Sequence, residues 1–300
     1  MEGQYGHFVK DIPFTKGGPE PFECGALMEG SYFGFDNLCV RLGVCGKKGP
    51  IFEETDRMHT HDYDQHLFFF SMDVDDQLNL GGEVEISLGD PLERFKFDIP
   101  TTVAIPKGMP HFPAIVNDLK REIYFMSISS AAECKATPVE TNLKPEDGEL
   151  SSFRSKFMRN VLPMSWRRKN GYFYGSEGYE DSGGVFMAVD GSRTGLDLTV
   201  SWETIKKAHA LGPRTPALTH APHVHKFDEM LLFLGADSKN PDVLGGTGEI
   251  CYGKEIEPYK VTSPVCTIFP INLLHCPLTF YEDPEKPFFF VVVSCAGAHH

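Results

Sequence analysis

One pattern of side chains able to bind a metal occurs twice along the chain. The first set is His59-x-His61-x3-Gln65 with His111 further on, and the second is His223-x-His225-x3-Glu229 with His275 further on. Residues i and i+2 of a strand project to one face, so each H-x-H pair can enter the same interior. Gln65 and Glu229 stand just beyond, where a turn can aim them at the same point. The last histidine of each set follows a turn: Pro106-Lys107-Gly108-Met109-Pro110 before His111, and Pro270-Ile271-Asn272-Leu273-Leu274 before His275. Glycine tolerates positive φ, and asparagine visits the left-handed region more readily than most residues. Gly108 and Asn272 therefore both predict a tight turn that presents a histidine. Three imidazoles and one oxygen donor suit a divalent transition metal such as Mn, Fe, Zn, Ni or Co, with positions left for water or substrate. One or two ions per chain are expected. The set containing Glu229 carries one negative charge and the set containing Gln65 none. A metal in the first set would keep its full charge, making it the stronger Lewis acid and the weaker binder.

A lone interior histidine is more often a hydrogen-bonded core residue than a ligand. Six in register are harder to explain that way, and the register is broad. Shifted by 164 positions, residues 59–132 fall on 223–296 without a gap, and 21 of the 74 pairs are identical. Leu80-Gly81-Gly82 falls on Leu244-Gly245-Gly246, Pro106 on Pro270 and Pro113 on Pro277. The closing strands align with Phe125 on Phe289 and Ser130 on Ser294. The chain therefore carries a duplicated domain. Each copy reads as short apolar runs of strand length punctuated by Gly and Pro, which implies an antiparallel barrel or jelly roll. The fold class expected is all-β, two tandem jelly-roll barrels with few short helices. The expected boundaries are 1–140, an inter-domain connection over 141–185, and 186–298. A turn or two of helix is expected in 204–211. Six basic residues from Arg154 to Lys169 read as a solvated helix face or docking surface, with an anion site as the alternative.

Composition narrows the partners. Three hundred residues with 28 Lys+Arg against 42 Asp+Glu give a net charge of −14, the wrong sign for a phosphate-backbone binder. The longest apolar runs, such as 288–293, are far shorter than the roughly 20 residues of a spanning helix. No secretory signal is visible at the start. These features predict a cytoplasmic protein with a small-molecule substrate and neither nucleic-acid nor membrane partners; a homo-oligomer stays open. The eight cysteines (Cys24, Cys39, Cys45, Cys134, Cys251, Cys266, Cys276 and Cys295) form no CxxC pair and are expected to be buried free thiols. Cys276 follows His275, so its side chain is expected on the opposite face of the strand. His299 and His300 read as a tag remnant and are set aside.

These residues resemble the cupin superfamily. One cupin motif has the form G-x5-H-x-H-x3,4-E-x6-G, which HVHKFDEMLLFLG matches from His223 through Glu229, with Gly235 one residue short of the expected glycine. The other has the form G-x5-P-x-G-x2-H-x3-N, whose heart is matched by Pro106, Gly108 and His111. Gln65 for Glu, Asn272 for Gly, and the missing leading glycine of the latter motif are departures. The resemblance implies a bicupin, two cupin barrels in one chain. It also implies that a histidine–glutamine ligand set is compatible with function, since such sets occur in bicupin isomerases acting on enolisable keto acids.

Superfamily membership does not fix the reaction. The ligands of each set are followed at strand spacing by Leu67 and Phe69, or by Leu231 and Phe233, which read as apolar barrel core. Arg57 shares the parity of His59 and His61 and is a candidate to bind a carboxylate or enolate oxygen; Tyr63 and Asp64 are candidate acid–base or orienting groups. The counterpart of Arg57 is Ala221, so the two sites are not equivalent. His220 has the opposite parity to His223 and is expected outside, and Lys226 and Asp228 read as a solvated turn. The preferred expectation is a metal-dependent enzyme acting on a small enolisable carbonyl compound or keto acid, by isomerisation, C–C cleavage, ring opening or decarboxylation. The alternatives are an Fe-dependent dioxygenase and a non-catalytic binding or storage bicupin.

Overall fold

The computed structural model describes residues 2–17, 22–51, 55–152, 154–167, 186–210, 222–280 and 283–297. Its regular structure is nearly all strand, as the Gly/Pro punctuation predicts. The two α-helices among the described residues are single turns, Gly30–Phe33 and Gly191–Thr194, each ended by a left-handed glycine, Gly34 and Gly195. No helix among the described residues is long and apolar enough to cross a membrane. The chain divides into two compact units, Pro13–Met164 and Met1–Ile12 with Ser165–His300.

Each unit sets a seven-stranded sheet against a smaller one. In the first, Gln65–Ser71 lies in the large sheet between Thr101–Ile105 and Ile123–Ser129. The smaller sheet holds Gly82–Leu88 between Glu93–Phe97 and Ile115–Leu119. The second unit repeats this: Glu229–Gly235 runs between Val265–Phe269 and Phe288–Ser294, against a sheet with Gly248–Tyr252 at its centre. Inward residues of the two layers make one core per unit. Leu67 and Phe69 meet Val84, Ile86 and Phe97 in the first; Leu231 and Phe233 meet Ile250, Tyr252 and Phe280 in the second. The residues of Gln65–Ser71 are all buried, so the strand is covered on both faces. That explains its unbroken apolar run, where one-sided burial would have produced alternation.

The structure departs from the sequence reading at several points. Val9–Asp11 pairs with Val265–Phe269 of the second unit, so the first twelve residues pack outside the expected first domain. Val161–Pro163, in the expected connection, pairs with Thr101–Ile105 of the first barrel. The expected helix in 204–211 is not formed where it is described: strand Thr199–Ile205 is followed by a bend over 206–208 and strand His209–Ala210; β-branched Thr199, Val200, Thr204 and Ile205 favour that outcome. The basic segment is turn and strand, with Arg154 and Lys156 exposed, and not a helix face; Arg168 and Lys169 lie outside the described residues.

The closing strands are also one residue out of the expected register. Ser129 pairs with Gln65, and Ser294 pairs with Glu229, a shift of 165 and not 164. Ser130 N–H bonds to the Asp64 carbonyl, and Cys295 N–H to the Asp228 carbonyl, with the same shift. The hairpin leading into Phe288–Ser294 is one residue longer than the one leading into Ile123–Ser129. A one-residue slip turns a strand's side chains to the other face, so the identities of Phe125 with Phe289 and Ser130 with Ser294 do not mark equivalent places.

The cores make a stability prediction. Phe69 is fully buried and packs its ring on Phe97 and Phe125 at 5.1 and 5.3 Å. Phe69→Ala is expected to cost about 3–5 kcal/mol, read as a lower urea midpoint for the first barrel.

Candidate metal centre

The backbone builds each site before any side chain does. His59 and His111 exchange both backbone hydrogen bonds, at 2.9 and 3.0 Å, and His223 and His275 do the same at 3.1 Å each. The turn before the last histidine is pinned twice. Gly108 N–H bonds to the His61 carbonyl at 2.8 Å, and Asn272 N–H to the His225 carbonyl at 2.9 Å. Both turn residues take the predicted positive φ, +79° and +64°. Asp64 and Asp228 then clamp the same turns, accepting from Lys107 N–H at 2.8 Å and Ile271 N–H at 3.0 Å. Asp64 is thus an orienting group, and Asp228 a clamp as well as a turn residue. Lys226 donates to the Asn272 side-chain carbonyl at 2.9 Å.

On this frame the imidazoles converge in the same way in both barrels. Ring centroids of His59 and His111 are 4.2 Å apart, and those of His223 and His275 4.4 Å. The other pairs match as closely: 4.9 and 4.7 Å for the H-x-H partners, 5.2 and 5.1 Å for His61–His111 and His225–His275. His59, His61 and His111 offer ligand atoms within 4.8 Å of one another, and all three are buried. In the second barrel two such groups share His275: one with His225 and Glu229, the other with His223 and Cys276.

The tautomers suit a metal. Nδ1 of His59, His61, His111 and His275 lies 2.8–3.0 Å from the carbonyl oxygens of Arg57, Lys135, Met109 and Leu273. A carbonyl can only accept, so each Nδ1 carries the proton and Nε2 holds its lone pair. Nε2 of His59, His61 and His111 is buried with no hydrogen-bond partner. Three inward lone pairs without donors are costly unless something electrophilic occupies their common point. Burial pushes the His59 pKa down to about 4 and holds that of His111 well below the ordinary value, so both rings stay neutral as ligation requires.

The fourth positions differ. Gln65 opens its strand at the register of Glu229, opposite Ile105 as Glu229 is opposite Phe269. Gln65 is fully buried and its Nε2 donates to Ser127 Oγ at 3.2 Å. Glu229 Oε2 lies 3.5 Å from Nε2 of both His225 and His275, and Ser294 Oγ donates to Oε1 at 3.0 Å. Burial acts to raise the Glu229 pKa, but hydrogen bonds and charge from His225 and His275, when those rings are protonated in the absence of a metal, overcome it and hold the carboxyl well below the usual range.

Three expectations are corrected here. Arg57 is exposed while His59 and His61 are buried; the strand begins at His59, so the strand alternation does not extend back to Arg57. The Arg57 carbonyl accepts from His59 Nδ1 at 2.8 Å. Cys276 does not point away from its neighbour. Its φ is +75°, it joins the barrel core, and its thiol approaches His223 and His275, whereas its counterpart Phe112 packs with Met58 and Leu92. The cysteines are not all thiols, because Cys39 and Cys134 form a disulfide; the other six are thiols. Tyr63 is buried, stacks on His61 at 4.7 Å, accepts from Lys135 N–H at 2.9 Å and donates to Lys135 O at 3.3 Å. It positions His61, as Phe227 stacks on His225 at 4.8 Å without a hydroxyl. His220 and Ala221 lie outside the described residues. A small cavity in the first barrel is lined by His111 with Ile51, Leu67 and Phe125, so the expected apolar wall borders the ligands.

No protein-family profile and no curated protein sequence matches this chain. Solved structures do. A variant of Bacillus subtilis oxalate decarboxylase aligns over 97% of this chain and 76% of its own, at 11% identity and a TM-score of 0.56. A structure from a study of the Mn(II) centres of the same enzyme aligns over 94% and 75%, at 11% identity and a TM-score of 0.55. The likeness is one of fold. It bears out the expectation of two tandem cupin-type barrels.

Two tests follow from the geometry. Asp64→Ala should loosen the turn carrying His111 and weaken metal binding at the first site by about tenfold or more, read by isothermal titration with circular dichroism unchanged. Unfolded His59 takes up a proton near pH 6.5 and folded His59 only near 4. The unfolded chain therefore binds more protons between those values, and the metal-free protein should lose stability as pH falls from 6.5 towards 4, seen as a falling Tm.

Proposed function

We propose that this chain is a metal-dependent enzyme acting on a small enolisable carbonyl compound or keto acid. The observation that carries this reading is the cluster of buried Nε2 lone pairs in the first barrel, repeated in outline around Glu229 in the second. A divalent ion bound there supplies Lewis acidity towards a carbonyl or carboxylate oxygen. Manganese is the metal we favour, supported by the likeness to an enzyme described with Mn(II) centres. His59, His61, Gln65 and His111 would hold one ion, and His223, His225, Glu229 and His275 a second.

The protein's own groups do the rest. Backbone carbonyls hold each imidazole in one tautomer, so ligand geometry is set before substrate arrives. Leu67, Phe69 and Phe125 keep the first interior apolar, which strengthens electrostatic contacts with an anionic substrate. The neutral donor set of the first barrel favours a carboxylate substrate more than the set containing Glu229, where one charge is already balanced. Isomerisation, C–C cleavage, ring opening and decarboxylation of an enolisable substrate would each gain from an ion that holds the oxygen where negative charge develops.

Protein purified without chelator should contain at least one transition metal per chain by elemental analysis; a protein with no metal and no affinity for one would overturn the reading. Metal-loaded protein screened against keto acids and diketones should turn over at least one of them under strict anaerobiosis. An absolute need for O2 would point instead to dioxygenase chemistry. Glu229→Ala and Gln65→Ala, made separately, identify the working barrel by which one abolishes turnover.

A further inference from the structure

Residues 134–139 lie along the outside of the first site. Pro138 pairs with His59 and Thr137 with Thr60, and Val139 N–H bonds to the Met58 carbonyl at 2.9 Å. Within this segment Lys135 makes three backbone contacts to the site. Its carbonyl accepts from His61 Nδ1 at 3.0 Å and from the Tyr63 hydroxyl at 3.3 Å, and its N–H donates to that hydroxyl at 2.9 Å. The residue before it is Cys134, bonded to Cys39. Cys39 begins a buried strand and pairs with Ser129, which also pairs with Gln65 on its other side. Cys134 sulfur is 3.8 Å from Ser129 Oγ. One covalent bond thus fixes the segment that orients His61 to the sheet end where Gln65 enters.

The second barrel has no such bond among its described residues. Thr199 stands where Cys39 does, opposite Ser294, and its hydroxyl donates to the Ala296 carbonyl at 2.9 Å. Phe227 replaces Tyr63. Covalent control of a ligand's orientation is therefore a feature of the first site. Cys134 is half-buried and Cys39 fully buried, so Cys134 is the more accessible end of the pair.

We infer that the Cys39–Cys134 disulfide is a redox latch on the first metal site. Oxidised, it holds the Lys135 carbonyl against His61 and keeps the three-histidine set assembled. In reduction a dithiol supplies two electrons and two protons; the S–S bond breaks, Cys39 and Cys134 become thiols, and the dithiol closes to its own disulfide. The segment then detaches more readily, His61 loses its fixed tautomer, and metal affinity falls at this site alone. The inference rests on metal binding at the first site as proposed above.

The test uses the full chain. Glu229→Ala protein reports the first site and His59→Ala protein the second. Each is reduced with dithiothreitol, desalted under argon, and titrated with Mn(II) by electron paramagnetic resonance, with thiols counted before and after. Reduction should weaken the first site about tenfold or more, the loss typical of removing a partner behind a metal ligand, and change the second far less. Amide exchange across 134–139 should rise in the same sample. Cys134→Ser should reproduce both effects without reductant. A first site that binds equally tightly with two more thiols titrated would overturn the latch and leave the metal reading intact. Equal weakening of both sites would also overturn it, as general destabilisation. A first site that binds no Mn(II) even when oxidised would overturn the metal reading itself, and the latch with it.

Discussion

Each site depends on one backbone pairing, the mutual hydrogen bonds of His59 with His111 and of His223 with His275. Two histidines that exchange both N–H···O bonds are held at a fixed cross-strand spacing. Their rings can then meet only at one depth. The bend carrying the middle histidine is tied to the turn before the last by a further bond, from Gly108 or Asn272. The agreement of ring separations between the barrels, within 0.2 Å for every pair, is the outcome of these few bonds. Side-chain identity at 21 of 74 positions is enough to preserve it because the carriers are mainly backbone groups.

Much of the molecule was legible in sequence for the same reason. H-x-H spacing reports directly on strand facing, and Gly108 and Asn272 report on left-handed backbone, so ligands and turns could be read locally. The Asp64–Asp228 clamp left a signal too. Both are aspartates in register, although carboxylates in a polar stretch look like ordinary turn residues. Strand alternation, by contrast, does not carry past the end of a strand. Arg57 precedes the first paired residue, and Cys276 has positive φ, so neither obeys the parity of its neighbours.

Two other features are invisible to local pattern for a different cause. The closing-strand register depends on the length of a hairpin. A single added residue moved the true correspondence, while chance identities such as Phe125 with Phe289 concealed it. The disulfide joins residues 95 apart in sequence, and no spacing rule links them. It exists because Cys39 and the segment after Ser129 leave the same sheet end, which only the assembled barrel shows.

The differences between the two sites fall where this frame allows them. Histidines and clamps are held by backbone geometry, and they are the same in both barrels. The variable residues sit around them: Gln65 against Glu229, Tyr63 against Phe227, Phe112 against Cys276. Each exchange alters charge, hydrogen bonding or softness at the centre without moving a ligand ring. Glu229 adds a charge that favours holding a cation, and Cys276 adds a polarizable sulfur nearby. Gln65 withholds the charge, and the tie through Tyr63 and Lys135 supplies rigidity in its place. A neutral donor set binds a cation more weakly, so its geometry must be better enforced to reach the same occupancy. On that argument the extra hydroxyl and the disulfide belong in the first barrel, beside the glutamine that makes them useful.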